Sequence, residues 1–154
     1  MLKDTLQKEV NQAMKAKASE RLSILRMIMA KIKDQEINKR TESSLELQDS
    51  DIIVLMDKMI KQAQDSIQEY KKANRQDLIQ KEEAEIQVIM EFMPKPLSHE
   101  EVNNAITQAI ADVKPEGMKD MGKVINYIKN KYVGRVDMAK VSLQVKEHLN
   151  TLND

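Results

Sequence analysis

The segment MPKPLSHEE, residues 93–101, constrains this chain more than any other feature. Pro94 and Pro96 each lack an amide donor and push the residue before them out of helical geometry. Ser98 and Glu101 follow with the S-x-x-E spacing of a capping box, in which each residue satisfies a free donor of the other at the start of a helix. A helical chain must therefore stop here and begin again. This predicts an amino-terminal part over 1–93 and a carboxy-terminal part over 97–154, joined by a proline-containing hinge.

Both parts read as helical. With three glycines, three prolines and four aromatic residues, the chain has little material for strands and hairpins, and Lys, Glu, Gln, Ala, Met, Leu and Ile fill most positions. Apolar residues recur at three- and four-residue steps in successive segments. Leu2, Leu6, Val10 and Ala13 mark the first helix. Leu22, Leu25, Ile28, Met29 and Ile32 mark the second, behind Ser19 as its cap. The period is lost near Thr41 to Gln48, which reads as an exposed loop, and Asp49 or Ser50 caps the third helix. That helix carries Ile52, Leu55, Met56, Met59, Ile60, Ala63, Ile67 and Tyr70. Asn74 suits a left-handed helix end, and Leu78, Ile79, Ile86, Ile89, Met90 and Met93 form the fourth stripe. So short a connection makes helices three and four antiparallel neighbours. Beyond the prolines, Val102, Ala105, Ile106, Ala109, Ile110 and Val113 form a stripe that ends at Pro115 and Gly117. Asp120 caps the next helix, and Gly134 and Asp137 separate it from the last. The fold class is all-α: a bundle of about four helices, then a three-helix tail.

Composition narrows the functions. Twenty-five basic residues balance 25 acidic ones, so no global field holds the chain on nucleic acid or lipid, and such binding needs a local patch. There is no cysteine, hence no disulfide framework or thiolate metal site. No run of about 18 apolar residues provides a membrane span, and the first ten residues lack the apolar core of a secretory signal. A soluble, cytoplasmic protein is expected. No phosphate loop is present, because Gly122 and Lys123 lack the preceding glycine and strand, and there is no H-E-x-x-H zinc motif. Ser43 and Ser44 sit in a charged stretch without the glycines that an amidase nucleophile needs. His99 and His148 are far apart and near opposite helix ends, so no metal and no cofactor is expected, and no catalytic residue is assigned.

Two motif runs carry a family likeness. The first, R-x-D-L…E-x-x-E-I…P-x-P-L-S-x-E-E, comprises Arg75, Asp77, Leu78, Glu82, Glu85, Ile86, Pro94, Pro96 to Ser98, Glu100 and Glu101. The second, D-M-G-K-V…G-R-x-D-M, comprises Asp120 to Val124, Gly134, Arg135, Asp137 and Met138. In this order they resemble the YqeY-like family, whose carboxy-terminal part is similar to the helical tail of the B subunit of tRNA-dependent amidotransferases. The resemblance covers nearly the whole chain. It implies a two-part helical protein whose tail domain engages the body of tRNA, with the amide chemistry belonging to other subunits and domains.

Between positions 123 and 146 the basic residues Lys123, Lys129, Lys131, Arg135, Lys140 and Lys146 stand against Asp137 alone, a local excess of five positive charges in a neutral chain. These six are the candidate nucleic-acid contacts. RNA would be met through shape and phosphate, because the deep groove of A-form RNA hides its base edges, with Tyr127 and Tyr132 as minor stacking partners. The alternative is that they are outward positions opposite Met121, Val124, Ile125, Ile128 and Tyr132. A second set, Lys15, Lys17, Arg21, Arg26, Lys31, Lys33, Lys39 and Arg40, reads as a solvated face. The function expected is a non-catalytic tRNA-associated accessory protein. The competing readings are a protein–protein adaptor that binds a partner on the Met and Ile faces of the amino-terminal helices, and a component of a glutamine-dependent carbon–nitrogen ligase active only with other subunits.

Overall fold

A computed structural model describes residues 1–38 and 46–152, with the Leu152 side chain left aside. Among these residues the chain is all-helical, with seven α-helices and one short 3-10 turn. It divides into two compact units, 1–93 and 94–154.

The first unit holds α1 (Leu2–Lys15), α2 (Ser19–Asn38), α3 (Asp49–Lys72) and α4 (Gln76–Met90). Its core is aliphatic, built on Leu6, Leu25, Ile28, Ile32, Ile52, Met56 and Ile89, all fully buried. The stripes read from the sequence supply nearly all of it, because residues three and four apart share one face of a helix. Tight turns close two of the joints. Asn74 takes φ 56° and Lys17 also φ 56°. Around each, two backbone amides reach back: Arg75 N to Tyr70 O and Asn74 N to Lys71 O in one, Ala18 N to Ala13 O and Lys17 N to Met14 O in the other. Both are Schellman ends, which satisfy carbonyls that the last turn leaves free. The short turn at Asn74 lays α4 along α3, the most extensively packed pair in the unit.

Four local expectations are corrected here. Ser19 is the first residue of α2, and the carbonyl of Ala18 accepts the Leu22 amide. Gln48, not Asp49 or Ser50, caps α3, with the Asp51 carboxylate accepting the Gln48 amide at 3.0 Å. Met90 is 47% exposed, whereas its neighbour Ile89 is fully buried, because one residue turns about 100° around the helix. Of the expected loop, 41–45 lie outside the described residues, and Leu47 at its end is buried in the core instead of exposed. The carboxylate of Glu36 draws it in, accepting the Leu47 amide at 3.2 Å while holding Lys3 Nζ at 2.9 and 3.0 Å.

The second unit holds α5 (His99–Val113), a 3-10 turn (Met118–Asp120), α6 (Met121–Lys131) and α7 (Met138–Leu152). No regular helix runs through 93–98, where the prolines lie. The capping box forms as read: Ser98 Oγ accepts the Glu101 amide and Glu101 Oε1 accepts the Ser98 amide, each at 3.2 Å. Ile106, Ala109, Val124, Ile128, Val141, Val145 and Leu149 make a separate core. Gly134 adopts φ 71°, a left-handed geometry that costs glycine little. Asp137 Oδ1 then accepts the Ala139 amide at 3.0 Å and starts α7. Asp120 occupies the cap position of α6, but its side chain turns back to the Glu116 amide at 2.9 Å.

Candidate nucleic-acid interface

Helical register already restricts how the six cations can act together. Lys123 and Lys129 lie on α6 with Val124 and Ile128 facing the core, and Lys140 and Lys146 lie on α7 with Val141, Val145 and Leu149 facing it. Each lysine pair is six residues apart, so its members point about 120° apart around the helix, on opposite flanks of the buried stripe. They form no single stripe.

Their partners divide them further. Lys123 Nζ lies 3.6 Å from Asp120 Oδ1, in an exposed pair on one turn. Lys131 Nζ sits 5.6 Å from the Tyr127 ring centroid and 5.7 Å from that of Tyr132. That is cation–π range. The Tyr127 hydroxyl donates to Asp112 on α5. This bond, joined by one from Gln108, holds the Asp112 carboxyl below the ordinary range and raises the Tyr127 hydroxyl above its own. Lys131 thus stands over two rings, of which Tyr127 is already hydrogen-bonded to a carboxylate.

Arg135 is engaged with the segment before α5. Its Nε donates to the Lys95 carbonyl at 2.8 Å, and its own carbonyl accepts the Leu97 amide at 2.8 Å. Two opposed hydrogen bonds therefore tie the α6–α7 turn to the segment just before α5. Arg135 also stands near Glu101, whose carboxyl is held low chiefly by the Ser98 amide. It reads as a brace for the turn more than as a free phosphate ligand. Lys129, Lys140 and Lys146 are exposed and form no ion pair among the described residues. The unit as a whole carries nine basic and eight acidic residues, so the local excess near α6 and α7 is offset by α5 and the turn after it.

The second basic set is dispersed as well. Arg21 bridges Glu9 at 3.0 Å and Glu91 at 2.6 Å, fastening α1, α2 and the end of α4. Lys39 and Arg40, like Ser43 and Ser44, lie outside the described residues.

Sequence reading missed one feature of the amino-terminal unit. Glu82 and Glu85, noted only as motif residues, line a groove of about 450 Å³ between α2 and α4. Burial, then the neighbouring Glu82 carboxylate, raises the Glu85 carboxyl above the ordinary range. The signal in the sequence was a pair of glutamates one turn apart on a helix whose other face is apolar.

No helix among the described residues is long and apolar enough to cross a membrane. No group of three or more His, Cys, Asp or Glu side chains among them is arranged to hold a metal ion.

The molecule so defined is an all-helical protein of two small units, with separate aliphatic cores and lysines distributed over the second. The model of the Yqey-like protein family matches residues 3–149, and the chain belongs to that family. It is similar to "Altered inheritance of mitochondria protein 41, mitochondrial" of three fungi. The Pyrenophora tritici-repentis protein is 29% identical over 92% of this chain and 77% of its own length. That of Lachancea thermotolerans is 30% identical over 79% and 67%. That of Kluyveromyces lactis is 34% identical over 71% of this chain and 58% of its own length. The cytoplasmic location expected above is corrected by these relatives, whose names place them in mitochondria. Charge balance and the lack of cysteine do not distinguish one reducing compartment from another.

Proposed function

We propose that the protein is a non-catalytic, tRNA-associated accessory protein, whose carboxy-terminal unit meets RNA phosphates through Lys129, Lys140 and Lys146. The observation that carries this reading is that these three alone among the six candidate cations are both exposed and uncommitted. Lys123 and Lys131 add charge nearby while already sharing it with Asp120 and Asp112. Arg135 supports the turn between them. Contacts spread around two helices track the curved backbone of a folded RNA by shape and carry no base readout.

The test is a mobility-shift titration of the full chain with total tRNA at several salt concentrations. Three phosphate contacts give a log–log salt slope of about −2 to −3. The triple variant Lys129→Glu, Lys140→Glu and Lys146→Glu abolishes the shift, and Lys123→Glu weakens it only slightly. A shift that is absent at low salt, or unchanged by the triple reversal, removes the RNA reading.

A second reading, the protein adaptor, draws support from one observation: Ile24 and Met27 on α2 are only half-buried beneath the groove beside α4. In that case tRNA does not shift and a polypeptide partner is found on the amino-terminal unit.

A further inference from the structure

Helix α2 carries apolar side chains around most of its circumference: Leu22, Ile24, Leu25, Met27, Ile28 and Met29 all lie within two turns. A helix apolar all round is one that is covered on several sides. Leu25 and Ile28 are fully buried in the unit core, whereas Ile24 and Met27 pack against it from outside and stay half-exposed. They form the floor of the groove whose other wall is α4.

The charged residues of that groove are unevenly matched. Glu20 on α2 and Glu82 and Glu85 on α4 contribute three carboxylates, and Lys81 is the single cation lining it. None of the three carboxylates forms an ion pair among the described residues. Glu85 stands one turn from Glu82, whose like charge adds to burial in disfavouring its ionised form, and Lys31 of α2 acts on it only at a distance. Two like charges one turn apart beside a half-buried floor repel each other. A cation placed between them relieves that repulsion.

We propose that the groove between α2 and α4 docks an amphipathic helical segment of a protein partner. A lysine or arginine of the partner sits between Glu82 and Glu85, and an aliphatic side chain one turn away rests on Ile24 and Met27. Charge complementarity selects the basic residue. The span from Glu20 to Met27, about 10 Å or two helical turns, sets the length of the docked segment. Methionine at the floor adapts to more than one aliphatic shape. Because the docked cation favours ionised Glu85, whose carboxyl burial raises above the ordinary range, affinity rises with pH through the titration of Glu85. Glu20, Lys81 and Lys31 are the other charged groups facing it. The inference rests on the adaptor reading of the amino-terminal unit, and the tRNA titration tests the RNA reading of the other unit separately.

The experiment places a photoreactive amino acid at Ser23, an exposed position lining the groove, in the full chain expressed in its own host. A matching control carries the same residue at Gln68, exposed on α3. Irradiation and mass spectrometry identify the crosslinked peptide. The expected result is an adduct at position 23, absent at 68 and resistant to ribonuclease, within a helical segment bearing a lysine or arginine three or four residues from an aliphatic one. Glu82→Gln with Glu85→Gln reduces its yield at least tenfold while the thermal midpoint stays within a few degrees of the parent. The synthetic segment binds the full chain more weakly at pH 5 than at pH 7.5. The proposal is overturned by no adduct above the control, by an RNA or small-molecule adduct, by a crosslinked segment without a basic residue, or by a yield indifferent to the double substitution.

Discussion

Lys3 Nζ lies 2.9 and 3.0 Å from the two carboxylate oxygens of Glu36, a residue 33 positions away, and the second of those oxygens also accepts the Leu47 amide at 3.2 Å. One side chain thus joins α1, α2 and the approach to α3. The Glu36 side chain is 13% exposed and that of Lys3 38%, so solvent screens this pair less than the exposed pairs elsewhere. Replacing Glu36 with Gln breaks the charge-assisted bonds and should cost about 1.5–3 kcal/mol of stability, measured by urea unfolding against the parent. Burial works against ionisation, but Lys3 and the Leu47 amide outweigh it and hold the carboxyl below its ordinary value of 4.5. A carboxyl depressed on folding stabilises fully above its unfolded pKa and loses that contribution as pH falls through the folded one. The difference between parent and variant should therefore be constant near neutrality and shrink below about pH 4.5. A gap that is flat into strong acid counts against this account.

Arg135 should behave as a structural residue. Arg135→Gln removes the Nε bond to the Lys95 carbonyl and should lower stability by about 1–2 kcal/mol. The same denaturation series should find Lys129→Gln within about 0.5 kcal/mol of the parent, as for an uncommitted surface side chain. Equal costs for the two would return Arg135 to the set of free cations.

Ile89 and Met90 are adjacent, apolar and opposite in effect. Truncating the fully buried Ile89 to Ala leaves a cavity and should cost about 2–5 kcal/mol. Met90→Lys places a charge where the side chain is already half in water, and should change stability by no more than about 0.5 kcal/mol. Thermal midpoints of the two variants decide the matter in one experiment.

Gly122 lies in the first turns of α6, and a Cβ built there meets nothing within 4 Å. Gly122→Ala should therefore stabilise the chain by about 0.5–1 kcal/mol, through the backbone freedom that glycine loses on folding. Calorimetry showing a loss instead would mean that the site is not open.

The sequence by itself determined the features that depend on neighbours within a turn. The stripes of α1 to α6, the Ser98–Glu101 box, the Asn74 and Gly134 helix ends and the proline break follow from contacts three or four residues apart, or from the covalent geometry of the residue itself. It also identified the family, through motifs that lie in order along the chain. Tertiary structure decided which charges are free. Arg135 finds its acceptor 40 residues back, Tyr127 its carboxylate 15 residues back and Lys3 its partner 33 residues ahead. No local pattern encodes those distances. The run of lysines from 123 to 146 was visible at once, but whether a cation is available depends on what packing brings beside it. A short Coulomb contact forms wherever the fold places the opposite charge, and the chain order does not record that place.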